Sequence, residues 1–183
     1  MKILTLYYSQ SGQTEKIAKA IHSCIPEKFE KKIGKIADYS ANDLDEFDLV
    51  FIGGPCHSSD LAKPLKQFLE DLKPSPKYKL AGFYTHGSYP PEREGYEEVF
   101  ERWVGKCALT FDTATTEKKI ALLGYFRCMG NPSPPVLEFI KENAIPSEKE
   151  FNEYVEEVRN RPNTQDIENA QKFAQKILEE FSK

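Results

Sequence analysis

The chain has 183 residues, of which 39% are hydrophobic and 30% charged, with a formal net charge of −4 and a pI near 5.5. That length suits one domain with a full core. The acidic balance excludes a nucleic-acid footprint, since short basic runs such as Lys31-Lys32 and Lys118-Lys119 are offset by neighbouring acids. The four cysteines, at 24, 56, 107 and 128, include no C-x-x-C pair, which argues against zinc and against a thioredoxin-type motif. No apolar run approaches the roughly 20 residues that span a bilayer, and the N-terminus does not read as a signal peptide. These features lead to the expectation of a cytoplasmic protein with free thiols and with neither membrane nor nucleic-acid partners.

Taken in chain order, strands and helices alternate. Residues 3–8 form a continuous apolar run, the pattern of a strand buried on both faces. Residues 14–25 carry Ile17, Ala18 and Ile21 at helical spacing. A weaker, partly exposed strand is expected at 29–36. Leu49-Val50-Phe51-Ile52 reads as a short strand that stops at Gly53-Gly54-Pro55, and 61–72 as a helix through Leu61, Leu65, Phe68, Leu69 and Leu72. Residues 80–84 form another buried strand, 96–108 an amphipathic helix through Val99, Phe100 and Val104, and 120–126 the fifth strand. Ser133-Pro134-Pro135 reads as a helix cap followed by proline in the first turn. Ser147 and Glu150 make a capping box. Thr164 is placed to cap a last helix whose stripe is Ile167, Ala170, Phe173, Ala174, Ile177 and Leu178.

Strands separated by helices imply right-handed crossovers and a parallel sheet covered on both faces. In such sheets ligands bind beyond the carboxyl ends of the strands, near the switch in strand order. The loops after Tyr8, Ile52 and Tyr84 are therefore the places to look. The first is Ser9-Gln10-Ser11-Gly12-Gln13-Thr14, between a buried strand and a helix. A helix N-terminus presents unpaired amides and a partial positive charge. Gly12 permits close approach or a positive φ, and the hydroxyls of Ser9, Ser11 and Thr14 add donors. The loop has no lysine or arginine and matches neither GxxxxGK[ST] nor G-x-G-x-x-G, which leaves a neutral cradle for a single terminal phosphate.

The segment Tyr8-Ser9-Gln10-Ser11-Gly12-Gln13-Thr14-Glu15-Lys16-Ile17-Ala18 resembles the flavodoxin signature. Residues 48–55, 83–89 and 123–130 are similar to the third, fourth and fifth strand segments of that family. The resemblance implies a flavodoxin-like three-layer sandwich, α/β in class. Its five-stranded parallel sheet would run in the order 2-1-3-4-5 with helices on both faces. Residues 1–183 would form one domain, with an extra helical segment at about 132–162. It also implies flavin mononucleotide (FMN) as cofactor, with the ring held by the second and third loops. In the second loop the candidates are Pro55, Cys56, His57 and Ser58. His57 stands where relatives often place an aromatic residue, and a surface-loop role is its alternative. Cys56 reads as a small buried filler, with flavin contact or redox chemistry as the alternative. In the third loop they are Thr85, His86, Gly87 and Tyr89, with Tyr89 the aromatic best suited to stack on the ring and surface packing against Pro90 and Pro91 as its alternative; satisfying the turn is the alternative for His86. Cys128, Met129, Tyr125 and Phe126 read as packing residues, and Cys24 and Cys107 as helix ends.

The leading functional expectation is an FMN flavoprotein acting in electron transfer with a redox partner protein. One alternative is an NAD(P)H-dependent FMN or quinone reductase, which needs room over the ring. The other is a non-redox binding module that has lost the flavin.

Overall fold

A computed structural model describes residues 1–181. Its sheet has five long strands: β1 (Lys2–Tyr7), β2 (Glu30–Lys35), β3 (Leu49–His57), β5 (Lys79–His86) and β6 (Leu122–Met129), with a two-residue β4 (Asp60–Leu61) paired to the tail of β3. The long strands are all parallel and lie in the order β2-β1-β3-β5-β6. Numbered without the short strand, this is the expected 2-1-3-4-5.

The central strands β1, β3 and β5 are buried almost throughout, whereas the edge strand β2 alternates between exposed and half-buried residues. Side-chain alternation divides the core in two. Leu4, Leu6, Val50 and Ile52 face α2 (Lys63–Glu70), α3 (Glu97–Val104) and α4 (Lys106–Glu117). Ile3, Tyr7, Leu49 and Phe51 face α1 (Gln13–Ser23) and α7 (Thr164–Phe181). The stripe foreseen on α7 supplies its side of that core, with Ala170, Ala174 and Ile177 almost fully buried.

Several boundaries differ from the sequence expectation. β3 does not stop at Gly53 but runs on to His57, because Gly53, Gly54 and Pro55 continue the ladder opposite Phe83, Tyr84 and Thr85. The glycine is needed there: a Cβ on Gly53 would lie 2.3 Å from the Phe83 carbonyl oxygen. The chain then reverses through Ser58 and Ser59, both at positive φ (51° and 73°), the geometry of a two-residue hairpin. Leu61 consequently belongs to β4, and the helix begins at Lys63 with proline in its first turn.

The helix expected at 96–108 is two helices, α3 and α4. They meet at Gly105, and the second extends to Glu117 through a threonine-rich stretch with little amphipathic signal. Cys107 is therefore in the first turn of α4, not at a helix end. The last helix is capped by Asn163, whose Oδ1 accepts from the Asp166 amide at 3.1 Å while its own amide donates to Asp166 Oδ2 at 2.9 Å. Thr164 is the residue after this reciprocal cap.

The segment after β6 holds α5 (Pro134–Asn143) and α6 (Glu148–Val158). Ser133 precedes α5 in extended conformation, and Ser147 Oγ accepts from the Glu150 amide at 3.5 Å, as the capping patterns indicated. α6 is held firmly: Tyr154 is fully buried against Tyr89, and its hydroxyl donates to the Gly87 carbonyl. α5 has no buried residue.

Candidate functional site

The carboxyl ends of β1, β3 and β5 converge where the strand order switches direction. Residues 9–14 turn there from β1 into α1. Gly12 is the N-cap residue at φ +83°, and a Cβ on it would meet nothing within 4 Å, so backbone conformation alone makes glycine the suitable residue. Its amide is taken by Ser9 Oγ at 3.1 Å, which fixes the turn. No side chain caps the N-terminus of α1, so its first amides remain available to an anion.

A cleft of about 320 Å³ lies over this turn. Ser9, Gln10, Ser11, Gln13 and Thr14 form one side; Pro55, Cys56, His57, Thr85, His86 and Gly87 come from the second and third loops. The sequence expectation omits the opposite wall, Gly130, Asn131, Pro132, Ser133 and Val136. Its signal was present: a Gly-Asn-Pro-Ser-Pro-Pro turn follows the last strand at the same end of the sheet. None of the described residues lining the cleft is charged.

Thr14 is the member of the 9–14 turn most tightly built in. It is 1% exposed, and its Oγ1 lies 2.8 Å from Oγ1 of Thr85, itself 4% exposed. This hydrogen bond joins the start of α1 to the end of β5. Gly130 closes the floor: a Cβ added to it would lie 3.5 Å from the Thr85 side chain and 3.6 Å from that of Gln13. The side-chain Oε1 of Gln13 is buried without a hydrogen-bond partner. The amide end can turn to offer N–H instead, so Gln13 supplies an unused polar group inside the cleft.

The cleft opens into a larger cavity of about 600 Å³ that shares Gln10, Cys56, His57, Gly87, Ser133 and Val136 with it. Tyr96, Val99 and Trp103 of α3 and its approach form one wall, and Phe139 and Ile140 of α5 another. Trp103 meets Phe139 edge to face at 5.1 Å. Ser88 also lines this cavity, with a buried Oγ that has no partner. Its described lining residues likewise include no charged side chain.

The aromatic expected to stack on a ring is engaged elsewhere. Tyr89 is 3% exposed and lies edge-on to Tyr96 at 4.6 Å and to Tyr154 at 5.4 Å, with the Arg93 guanidinium 3.6 Å from its centroid. It borders the cavity as a packed support. Trp103 and Tyr96, half-buried and on the cavity wall, are the aromatic surfaces that the sequence reading did not assign.

His57 is exposed beside the hairpin turn and borders both cavities, and desolvation lowers its pKa. His86 ends β5 within the core. Its Nδ1 lies 3.0 Å from the Ser88 carbonyl, and its ring meets Phe100 edge to face at 5.2 Å. Burial pushes its pKa down to about 3, helped by Arg127 and opposed by the Ser88 hydrogen bond. It is a neutral donor that shapes the third loop.

Outside the two linings, Arg127 pairs with Glu92 at 2.8 Å and Arg93 with Glu157 at 3.2 Å. Among the described residues no helix is long and apolar enough to cross a membrane.

Comparison with known proteins accords with this geometry. The Flavodoxin-like domain-containing protein BilS of Clostridioides difficile (strain CD3) is 28% identical over 184 residues, covering 97% of each chain. Flavodoxin 2 of Bacillus cereus superposes with a TM-score of 0.63 at 18% identity over 98% of this chain and 99% of its own. General stress protein 14 of Treponema denticola, solved in complex with FMN, gives 0.57 at 11% identity over 96% and 98%. A flavodoxin domain model matches residues 4–175, and with the strand order and the switch-point cleft this assigns the chain to the flavodoxin domain family.

Proposed function

We propose that the chain binds FMN, with its phosphate on residues 9–14 and its ring toward the larger cavity, and serves in electron transfer. The observation that carries this reading is the uncapped N-terminus of α1 behind a left-handed Gly12, opening on a neutral cleft continuous with an aromatic cavity. The residues fit such a ligand. Ser9, Ser11 and the α1 amides suit phosphate oxygens, Gln13 offers its spare amide, and Ser88 presents an unpartnered hydroxyl where ring heteroatoms would lie. Bound flavin supplies the redox chemistry, while the protein supplies binding, orientation and electrostatic tuning. His57 and Cys56 border the ring cavity from one side and Trp103 from another. The four free thiols accord with a cytoplasmic setting.

A second reading, a reductase acting on a small planar molecule, is favoured by the size of the cavity beyond the phosphate cleft. The lining there suits a neutral aromatic such as a quinone better than a pyridine nucleotide, whose phosphates call for cationic partners.

Calorimetry with FMN and riboflavin tests the binding reading. FMN should bind on the order of tenfold or more tightly, since one hydrogen bond to a charged group contributes about 1.5–3 kcal/mol. Equal affinities would refute the phosphate assignment. Steady-state oxidation of NADH or NADPH with a quinone acceptor separates reductase from carrier.

A further inference from the structure

α5 carries an apolar stripe that the protein itself does not bury. Val136, Phe139 and Ile140 stand at helical spacing, opposite the charged Glu138, Lys141 and Glu142. A stripe of this kind ordinarily packs against a core. Here Leu137 and Ile140 rest half-buried against the cluster around Tyr154, while Val136 and Phe139 stay 42% and 45% exposed. The stripe lines the larger cavity of about 600 Å³, and across it stand Tyr96, Val99 and Trp103. Phe139 links the two walls through its edge-to-face contact with Trp103 at 5.1 Å.

Two features set this side of the cavity apart from the cleft over residues 9–14. None of Tyr96, Val99, Trp103, Phe139 and Ile140 borders that cleft. The polar groups of the cavity also lie elsewhere, His57 and Ser58 coming from the hairpin after β3 and Ser88 from the third loop. A charged ligand moved to the α3–α5 side would lose hydration and gain no ionic partner among the described lining residues. A flat, uncharged ring system would gain contact with aromatic edges and faces instead.

We propose that the α3–α5 side of the larger cavity is a binding site for an uncharged aromatic molecule, which lies against Trp103 and Phe139 and is held beside the flavin, not in its place. The inference deepens the reading of this cavity given above and rests on it for the position of the flavin ring, on the side of Cys56 and His57. The volume suits the addition, since sites for small molecules commonly measure about 300–1,000 Å³ and the cleft for the phosphate is a separate space. Specificity resides in the facing aromatics. Phe139 sits on a helix with no buried residue, so a change there alters the site and leaves the core intact.

Trp103 is the only tryptophan of the chain, so its fluorescence reports from the site itself. The test titrates the full chain, with and without FMN, with two anthraquinones substituted at the same carbon: the neutral hydroxymethyl compound and the anionic sulfonate. No turnover is required. The expected result is saturable quenching of Trp103 by the neutral compound in both forms of the protein, with FMN retained at saturation. The sulfonate should bind at least about tenfold more weakly. Phe139→Ala should weaken the neutral compound about tenfold and FMN far less. Equal affinity for the two anthraquinones would overturn the proposal, and so would release of FMN as the neutral compound saturates, because the space would then be the ring's own. Unchanged affinity in a folded Phe139→Ala would also overturn it. A chain that takes up the neutral compound but no FMN refutes the flavin reading and leaves this site standing; one that takes up FMN and neither anthraquinone does the reverse. The comparison of the two compounds on the unaltered chain decides the matter even if the variant folds poorly.

Discussion

The Thr14–Thr85 pair offers a direct probe of how the phosphate loop is attached to the sheet. Both hydroxyls are buried and 2.8 Å apart. Each has one proton and two lone pairs, so when Thr85 donates to Thr14, the Thr14 proton is free for the phosphate. Thr14→Val keeps the shape but leaves the Thr85 hydroxyl unpaired in the core, which costs about 1–3 kcal/mol. With an m-value of about 2 kcal/mol/M in urea, the midpoint should fall by about 1 M at the centre of that range. Thr85→Val should cost a similar amount. The double variant should recover much of the loss, because two apolar groups replace a complete pair. FMN affinity should fall about tenfold or more in Thr14→Val and much less in Thr85→Val. Urea unfolding of the apoprotein and fluorescence titration with FMN measure the two effects separately. The reasoning fails if the double variant loses the sum of the single changes, or if both single variants bind FMN with equal affinity.

Gly12→Ala should weaken FMN binding by about five- to thirtyfold without a clash in the protein, because a side chain at φ +83° carries roughly 1–2 kcal/mol of strain and the loop must shift to relieve it; FMN titration of a variant with unchanged circular dichroism checks this. His86 makes stability pH-dependent with a defined sign. Its folded pKa, about 3, lies below the unfolded value of about 6.5. Its stabilising contribution is therefore fully present above pH 6.5 and is lost as pH falls toward 3. At pH 5 the loss is about 2 kcal/mol, and urea melts of the parent and His86→Gln at pH 7 and 5 should show it only in the parent. Tyr154→Phe removes the hydrogen bond to the Gly87 carbonyl and should destabilise the fold by about 1 kcal/mol. It should weaken FMN and riboflavin equally, since it loosens the third loop and leaves residues 9–14 intact.

The sheet was legible because its signals are local. Buried parallel strands announce themselves as apolar runs, and Ile3, Leu49 and Leu80 each stand at the start of one. The 9–14 turn into α1 was legible for the same reason, its hydroxyls and Gly12 being contiguous. What escaped notice depends on distant partners. Gly53-Gly54-Pro55 looks like a strand terminus, yet it continues the ladder opposite Phe83, Tyr84 and Thr85, with Phe83 at Gly53 and Leu65 at Gly54 close enough to exclude larger side chains. Tyr89 looks like a free aromatic in a loop; Arg93, Tyr96 and Tyr154, the last from α6, enclose it. The threonines of α4 carry no strong helical stripe, so periodicity alone ends the helix near residue 108 although it runs on to Glu117.

The two cavities are bounded by elements held with very different strength. The cleft over residues 9–14 is part of the sheet: Thr14 is bonded to Thr85, Gly130 donates its amide to the His86 carbonyl at 2.8 Å, and Gly53 is locked against Phe83. The outer cavity takes its wall from α5 and its base from α6. Tyr154 and Val158 bury α6 completely on one side, and its Glu157 pairs with Arg93 and Arg161. α5 buries no residue, and Val136 and Phe139 remain 42% and 45% exposed on it. Substitutions on the cavity side of α5 therefore reshape the space beyond the phosphate while removing little apolar burial from the fold. Substitutions on the buried side of α6 reach the third loop directly, because Gly87 and Tyr89 are its anchors. On the proposed reading, recognition of the phosphate would thus reside in the part of the molecule least able to change. The shape of the cavity above it resides in the part that can change at least cost to stability.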